Sequence, residues 1–494
     1  MRRSTPLRRP ALFAGLLAAL LSGCAAVPKV QPQVASLSAR SVGLGDAAAT
    51  PLAGDWWKGF GDPQLDRIMA DALAGNPTLD AATARLARAR ASIAANRAGL
   101  LPQISASAEE DRTRLSEKYV IPPPYGGTTR WVGTAQAQFD WSLDLAGRQK
   151  ALVAQAGASA DAAALDLAAA RVTLSGAVAQ AYVDLARASE QGRIADRFVA
   201  SREEQLRLAS ARKRTDLGSD FDMRAAETLL AEARQAKIRA DGARQLMVHA
   251  LAALAGRGVD YQEGIADPAL QLDTALPVPA ALPADLLGRR PDILAARARI
   301  EGAEAGRRIA KADFYPDVDL KGLVGLQALG LGALFTGGAG TYGAGAAIHL
   351  PIFEGGRLQA NYKGAIAGID EAIADYNRLV VGAVRETADA LSAIATNAAD
   401  ADQQRQVSTG LAETVRLDEV RLRTGLAARL DVLDAGDRLL AAQQRAIDLA
   451  ADGAAARVRL LVAVGGSFDP INQQTASAAT AQRRTAPAAA AMGN

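Results

Sequence analysis

The order of landmarks in the first half of this chain returns in the second. Asn76-Pro77-Thr78-Leu79-Asp80-Ala81-Ala82 aligns with Arg290-Pro291-Asp292-Ile293-Leu294-Ala295-Ala296, and Leu101-Pro102-Gln103-Ile104 with Tyr315-Pro316-Asp317-Val318, at an offset of 214. At 209, Gly147-Arg148 meets Gly356-Arg357 and Arg212-Lys213-Arg214-Thr215 meets Arg421-Leu422-Arg423-Thr424. At the same offset Asp222, Leu230, Gln235, Ile238, Leu251 and Gly256 meet Asp431, Leu439, Gln444, Ile447, Leu460 and Gly465. A chain so ordered is one supersecondary unit used twice, and any fold proposed for it must be built from two similar halves.

Each half reads as a helix, two strands and a very long helical hairpin. Trp131, Ala135, Ala137, Phe139, Trp141 and Leu143 alternate with Val132, Thr134, Gln136, Gln138, Asp140, Ser142 and Asp144, which is strand periodicity with one apolar and one polar face. Ile104, Ala106 and Ala108 alternate with Ser105, Ser107 and Glu109. In the second half Val318 and Leu320 alternate with Asp317, Asp319 and Lys321, and Tyr342, Ala344, Ala346, Ile348, Leu350 and Ile352 with Thr341, Gly343, Gly345, Ala347 and His349. Four amphipathic strands result, each long enough to cross a bilayer. A soluble sheet lying on helices gives the same alternation. In a membrane, however, four strands cannot close on themselves, because single-chain barrels begin at eight and lipid does not tolerate open edges, so several chains must share one barrel.

The remainder is helix of unusual length. No proline occurs between Pro124 and Pro268 or between Pro351 and Pro470, and both stretches are rich in Ala, Leu, Arg and Gln. Ile366, Ile369, Ile373, Tyr376 and Val380 are spaced three, four, three, four, and Leu174, Val178, Ala181 and Leu185 four, three, four, the seam of a coiled coil. Arg148 to Ala211 and Arg357 to Arg423 each make a rod of roughly 100 Å. The shorter segments Asp222 to Ala255 with Pro77 to Ala98, and Asp431 to Val464 with Pro291 to Ala312, stacked end to end, match one long rod each. Four helical columns then stand beneath four strands.

Composition removes other classes. Lys and Arg total 56 against 53 Asp and Glu, a near balance with no broad footprint for nucleic acid. Two histidines and one cysteine cannot supply a structural zinc site, and no disulfide can form within the chain. No nucleophile, acid–base pair or metal cluster converges, so neither an enzyme nor a cofactor is expected. Gly338-Ala339-Gly340-Thr341-Tyr342-Gly343 fits GxGxxG but runs into a strand instead of opening a helix, and reads as an extracellular loop. His249 in a helix and His349 in a strand have no ligand cluster around them.

Arg2, Arg3, Arg8 and Arg9 precede the apolar run Ala11 to Gly23, which is too short to span a membrane and reads as a secretory signal peptide. The run ends in Leu21-Ser22-Gly23-Cys24, which resembles the lipobox of bacterial lipoproteins, whose cysteine is diacylated and becomes the new N-terminus. By that resemblance Ala25 in place of Asp implies sorting to the outer membrane. No later segment offers 18 consecutive apolar residues, so no transmembrane helix is expected in the mature chain.

In this order, Trp56-Trp57, Asp62-Pro63, Asn76-Pro77, Leu101-Pro102, Arg289-Arg290-Pro291-Asp292-Ile293, Phe314-Tyr315-Pro316, Pro351-Ile352-Phe353 with Gly355-Gly356-Arg357, and Asp431-Val432-Leu433-Asp434-Ala435 resemble the TolC-like outer-membrane factors, specifically the NodT-type efflux lipoproteins. The resemblance implies a mostly α fold with a small β part: a homotrimer whose twelve strands form one outer-membrane barrel and whose helical columns form a periplasmic tunnel. It implies a passive conduit for drugs or other small molecules, working with a periplasmic adaptor and an inner-membrane RND-type pump, and held to outer-membrane lipid through acylated Cys24. It also implies a periplasmic gate at Asp431 and Asp434, spaced i and i+3 on one helical face after Gly425, where rings of carboxylates repel one another unless counter-charged. Arg421, Arg423 and Arg429 are candidate counter-charges. The plainer reading of the same aspartates is a capped helix start favouring the dipole. The two hairpin tips, with Arg214, Asp216, Gly218 and Asp222 in one and Thr424 and Gly425 in the other, correspond to the segments that meet the adaptor. Asp216 departs from the glycine usual there and kept at Gly425, and Ala146 departs from a usual aromatic at the strand-to-helix junction.

The expected organisation is a signal peptide at 1–23, a lipidated segment at 24–62, a first repeat at 63–256, an equatorial connection at 257–289, a second repeat at 290–466 and a disordered tail at 467–494. Two other functions fit parts of the sequence: a type I protein-secretion channel, and a lipid-anchored periplasmic scaffold that conducts nothing. The strands speak against the scaffold, which has no use for a lipid-compatible face.

Overall fold

Absence of proline and abundance of Ala and Leu let two helices run 67 residues each, Arg148–Arg214 (α3) and Arg357–Arg423 (α6). Each turns back into a helix of 35 residues, Asp220–Leu254 (α4) and Arg429–Ala463 (α7). Two helices of 22 residues, Pro77–Ala98 (α2) and Pro291–Ala312 (α5), complete the duplicated set, after a short α1 at Pro63–Gly75. Matching lengths confirm the duplication within the helices. The computed structural model describes residues 27–44, 54–118, 121–274, 276, 278, 285–466 and 468. Cys24, the segment 1–23 read as a signal peptide and nearly all of the tail from 467 lie outside them.

The described chain divides into two compact units. The first, Met1–Ser36 with Arg85–Ala164 and Ala295–Tyr376, holds the sheet. Its strands, β1 (Gln103–Arg114), β2 (Thr129–Ser142), β3 (Asp317–Leu329) and β4 (Gly340–His349), pair antiparallel in the order β1-β2-β3-β4. Ile104 lies opposite Phe139, Trp141 opposite Leu320, and Val324 opposite Tyr342, so the alternation read from sequence places these apolar side chains on one face. A small core of Phe314, Leu358, Tyr362 and Ile366 receives Val27 and Val30 from the N-terminal segment.

The second unit, Leu37–Ala84, Leu165–Leu294 and Asn377–Asn494, holds the main core. Trp56, Trp57 and Phe60 pack with Leu65, Ile68 and Met69 of α1, Val178, Tyr182 and Leu185 of α3, and Leu461 of α7. An 18-residue window of α3 reaches a mean hydropathy of 1.4, so by composition one helix does pass the test for a membrane span. Leu174, Val178 and Ala179 of α3 belong to this core, which accounts for apolar character in that helix.

Helix ends meet in a duplicated junction. Asn76 caps α2 by accepting from the Thr78 amide at 2.8 Å, and its Nδ2 donates to the carbonyl of Leu254 at the end of α4. In the second half Arg290 donates to the carbonyl of Ala463 at the end of α7. Gly256 (φ +67°) and Gly465 (φ +101°) make these junctions possible: a Cβ on either would stand 2.1 Å from the Gly75 oxygen or 2.2 Å from the Arg289 oxygen.

Candidate functional site

Two surfaces carry the functional expectations: the apolar face of the sheet and the tips of the hairpins. On the sheet, Ile104 is 77% exposed, Tyr342 88% and Ile348 72%, with nothing packed over them. Trp131 and Trp141 lie ten residues apart on β2. That is about 33 Å along a strand and about 25 Å once it is tilted as in a barrel, the height of an apolar bilayer band edged by aromatics. Arg112, opposite Trp131, lies 5.9 Å from its ring centroid, and Trp141 donates from Nε1 to the Leu100 carbonyl at 3.1 Å. Among the described residues the edges β1 and β4 have no strand partner on their outer sides.

The strand-to-helix junction is held by Asp144 (φ +47°), whose carboxylate accepts from the Gln149 and Lys150 amides at 2.7 and 3.0 Å. Ala146 beside it is exposed.

Both tips share one turn. The amide of Leu217 donates to Arg212 O at 2.9 Å and that of Leu426 to Arg421 O at 2.8 Å, while Thr215 and Thr424 each donate their hydroxyls back to the helix end. Asp216 adopts φ +58° where Gly425 adopts +77°, so the departure at Asp216 leaves the turn type unchanged. The following helix is capped at Ser219, whose Oγ accepts from the Asp222 amide while Asp222 accepts from Ser219 N at 3.0 Å. These bonds hold the Asp222 carboxyl below the usual range. Gly218 sits against Arg212 and Lys213, and Lys213 pairs with Asp220. Among the described residues Arg214 holds no ion pair.

Asp431 accepts from the Ala428 amide at 2.7 Å, the capping role that its place in the first turn permits. Asp434, one turn on, borders a groove of about 450 Å3 with Arg202, Gln205, Arg212, Asp222 and Arg429. More than a third of Asp434 is exposed, yet its carboxyl is pushed above the ordinary range, first by desolvation on the groove side and then by Asp437. Of the three candidate counter-charges, Arg421 pairs with Asp418 at 3.0 Å, and Arg423 and Arg429 hold no ion pair among the described residues.

The charged group that sequence reading missed is Asp437. Buried between α3 and α7, it accepts from Ser201 Oγ at 2.7 Å and Gln205 Nε2 at 2.8 Å, and pairs with Arg202 at 3.0 Å. Sequence offered no signal for it: Asp437 aligns with Thr228 in the first repeat, one difference among many between the two halves.

The family model described as outer membrane efflux protein matches residues 68–257 and 282–466. The fusaric acid resistance protein FusA of Burkholderia cepacia is 37% identical over 365 residues, which cover 71% of this chain and 68% of FusA. The toluene efflux pump outer membrane protein TtgF of Pseudomonas putida is 30% identical over 94% of this chain and 98% of its own. The crystal structure of the outer membrane protein VceC of Vibrio cholerae superposes with a TM-score of 0.76 at 31% identity, covering 85% of this chain and all of VceC.

Proposed function

The chain belongs to the outer membrane efflux protein family, and from this we infer that it is the outer-membrane channel of a tripartite efflux system, passively conducting drugs or other small molecules from an inner-membrane pump and periplasmic adaptor to the outside. The observation that carries the reading is the sheet. Its exposed apolar face has the height of a bilayer's hydrocarbon band, and its two edges lack partners. Three copies joined edge to edge give twelve strands and no open edge, which satisfies every backbone group in lipid. Three is the number that the resemblance to TolC-like outer-membrane factors implies, and on this reading the protein works as a homotrimer.

Acylation of Cys24 is what the lipobox resemblance implies, and the segment described after it supports that reading by packing at the foot of the sheet. Val27 and Val30 pack on Phe314, Leu358 and Tyr362, next to the start of β3 and the first turns of α6, and Asp370 then accepts from the Gln33 and Val34 amides at 2.8 and 2.9 Å.

The hairpin tips, with Leu217 and Leu426 each 72% exposed beside Arg214, Asp216, Gly218, Asp222, Thr424 and Gly425, are the surfaces offered to the adaptor. Asp431 and Asp434 constrict the periplasmic entrance. The test is single-channel conductance of the purified trimer in planar bilayers, wild type against Asp431→Ala with Asp434→Ala. Low wild-type conductance that rises several-fold in the variant is expected. Absence of conductance in both, with insertion verified, overturns the channel reading; equal conductance in both overturns the gate alone.

A further inference from the structure

Duplication has left one half of the tunnel wall covered and its twin bare. Inside one copy, α3 packs antiparallel on α7 through a polar ladder: Arg187 with Asp452 at 2.5 Å, Gln191 Nε2 to Asp448 at 2.6 Å, and Ser201, Arg202 and Gln205 around Asp437. The counterparts of α3 and α7 at the offset of 209 are α6 and α4, whose lengths match theirs residue for residue. Neither surface is covered by the other in the described chain. Val172 of α3 is 6% exposed and its counterpart, Val381 of α6, 54%. Ile194 is buried, whereas Gln403 in the same place on α6 is exposed. On the other partner Ala455 of α7 is 3% exposed and Leu246 of α4 is 61%.

One rung of the ladder returns on these two bare faces as a pair of opposite charges. Gln191 and Asp448, hydrogen-bonded inside the copy, have as counterparts Asp400 on α6 and Arg239 on α4. Both are exposed, and neither holds an ion pair among the described residues. The donor has moved to the other helix and the acceptor with it, so the rung is kept with its polarity reversed and becomes a full ion pair.

We propose that α6 of one copy packs on α4 of the next in the register that α3 and α7 use within a copy, and that Asp400 pairs there with the neighbour's Arg239. The occupant of both bare faces is a second copy of this chain, because only a surface related to α7 by the same repeat reproduces that register. This rests on the trimeric channel reading and specifies where its subunits join in the helical wall. Such contacts are heterologous, and three of them close a ring.

The test is thiol cross-linking of the full-length protein purified in detergent, with Asp400→Cys and Arg239→Cys together, each alone, and Asp389→Cys with Arg239→Cys as an out-of-register control. A short bismaleimide is expected to give covalent dimers and trimers from the first variant only. Trimers by light scattering without that cross-link overturn the interface and leave the channel reading intact. A monomer by light scattering overturns both. Charge reversal gives an independent measure: Asp400→Arg and Arg239→Asp singly each lower the fraction of trimer at least several-fold, and combined they restore it. Failure of the combination to recover anything beyond the singles, while wild type is trimeric, overturns the pairing.

Discussion

Asp62 shows how one side chain can organise a join. It starts α1, accepting from the Gln64 amide at 2.9 Å, and its second oxygen takes the Tyr182 hydroxyl at 2.6 Å and the Ala269 amide at 2.9 Å. N-terminal helix, long helix and connection are thereby tied at a point of 4% exposure. Burial, then Asp62, holds the Tyr182 phenol far above its usual range, so the hydroxyl stays a donor at any physiological pH. Replacing Asp62 by Ala removes a cap and strands a buried hydroxyl and a buried amide, a loss of about 3 kcal/mol, whereas Tyr182→Phe loses one bond and about 1.5 kcal/mol. Urea denaturation of the detergent-solubilised protein should rank the two in that order; the reverse would mean that the hydroxyl, not the cap, holds the join. Asp434 is a residue whose ionisation works against the fold. Its pKa is raised in the folded state, so the protonated form is favoured there and stability falls as pH rises through that raised value. Asp434→Asn is therefore expected to melt above wild type at pH 8 and together with it near pH 4, in thermal scans at fixed ionic strength. A variant less stable at pH 8 would show instead that Arg202 holds the Asp434 carboxylate.

The hairpin tips offer the same turn in two chemistries. A left-handed Asp216 costs up to about 1 kcal/mol relative to glycine, and a Cβ placed at Gly425 costs about as much. Because a tip opens locally without unfolding the rest, hydrogen exchange is the appropriate readout. Asp216→Gly should slow exchange of the Leu217 amide about fivefold, and Gly425→Ala should speed that of Leu426 by a similar factor. No change in either would mean that the turn is held by the helices instead of by its own backbone. These turns, the four strands and the paired helices were legible in sequence, since each is written in local terms: proline absence, alternation, and landmarks that recur. The polar ladder was not. Asp437 lies 236 positions from Ser201 and 232 from Gln205, and nothing local in either helix marks the other as its partner. Arg421, Arg423 and Arg429 are the cations nearest in sequence to Asp431 and Asp434, whereas Asp437 draws its cation, Arg202, from the other hairpin, where no local reading would look. Asp431 and Asp434 were legible as a pair on one face and the first as a cap, both local features, while the groove beside the second depends on packing.

In the proposed trimer, the difference between repeats decides where the wall parts. Within a copy the rung closest to the tip is the buried carboxylate of Asp437 with its three partners, and breaking such a group leaves a desolvated charge, which makes that seam hard to separate. Carried to the seam between copies, the same rung places Thr228 against Gly410, Leu411 and Thr414, none of them charged. Of the two charged rungs lost between copies, this one is the buried one and the one nearest the tips, so in the proposed trimer opening should start there, between copies, with each pair of hairpins moving as one body. Thr228→Asp with Leu411→Arg rebuilds the missing rung across the seam. In the background of Asp431→Ala and Asp434→Ala, which removes the proposed gate, this pair is expected to lower conductance several-fold, while each substitution alone leaves it near the parent value. Asp437→Asn supplies the opposing arm, since it weakens the inner seam only. If that change raises wild-type conductance as far as loss of Asp431 and Asp434 does, the parting line runs inside each copy, and the hairpins separate from one another instead of travelling together.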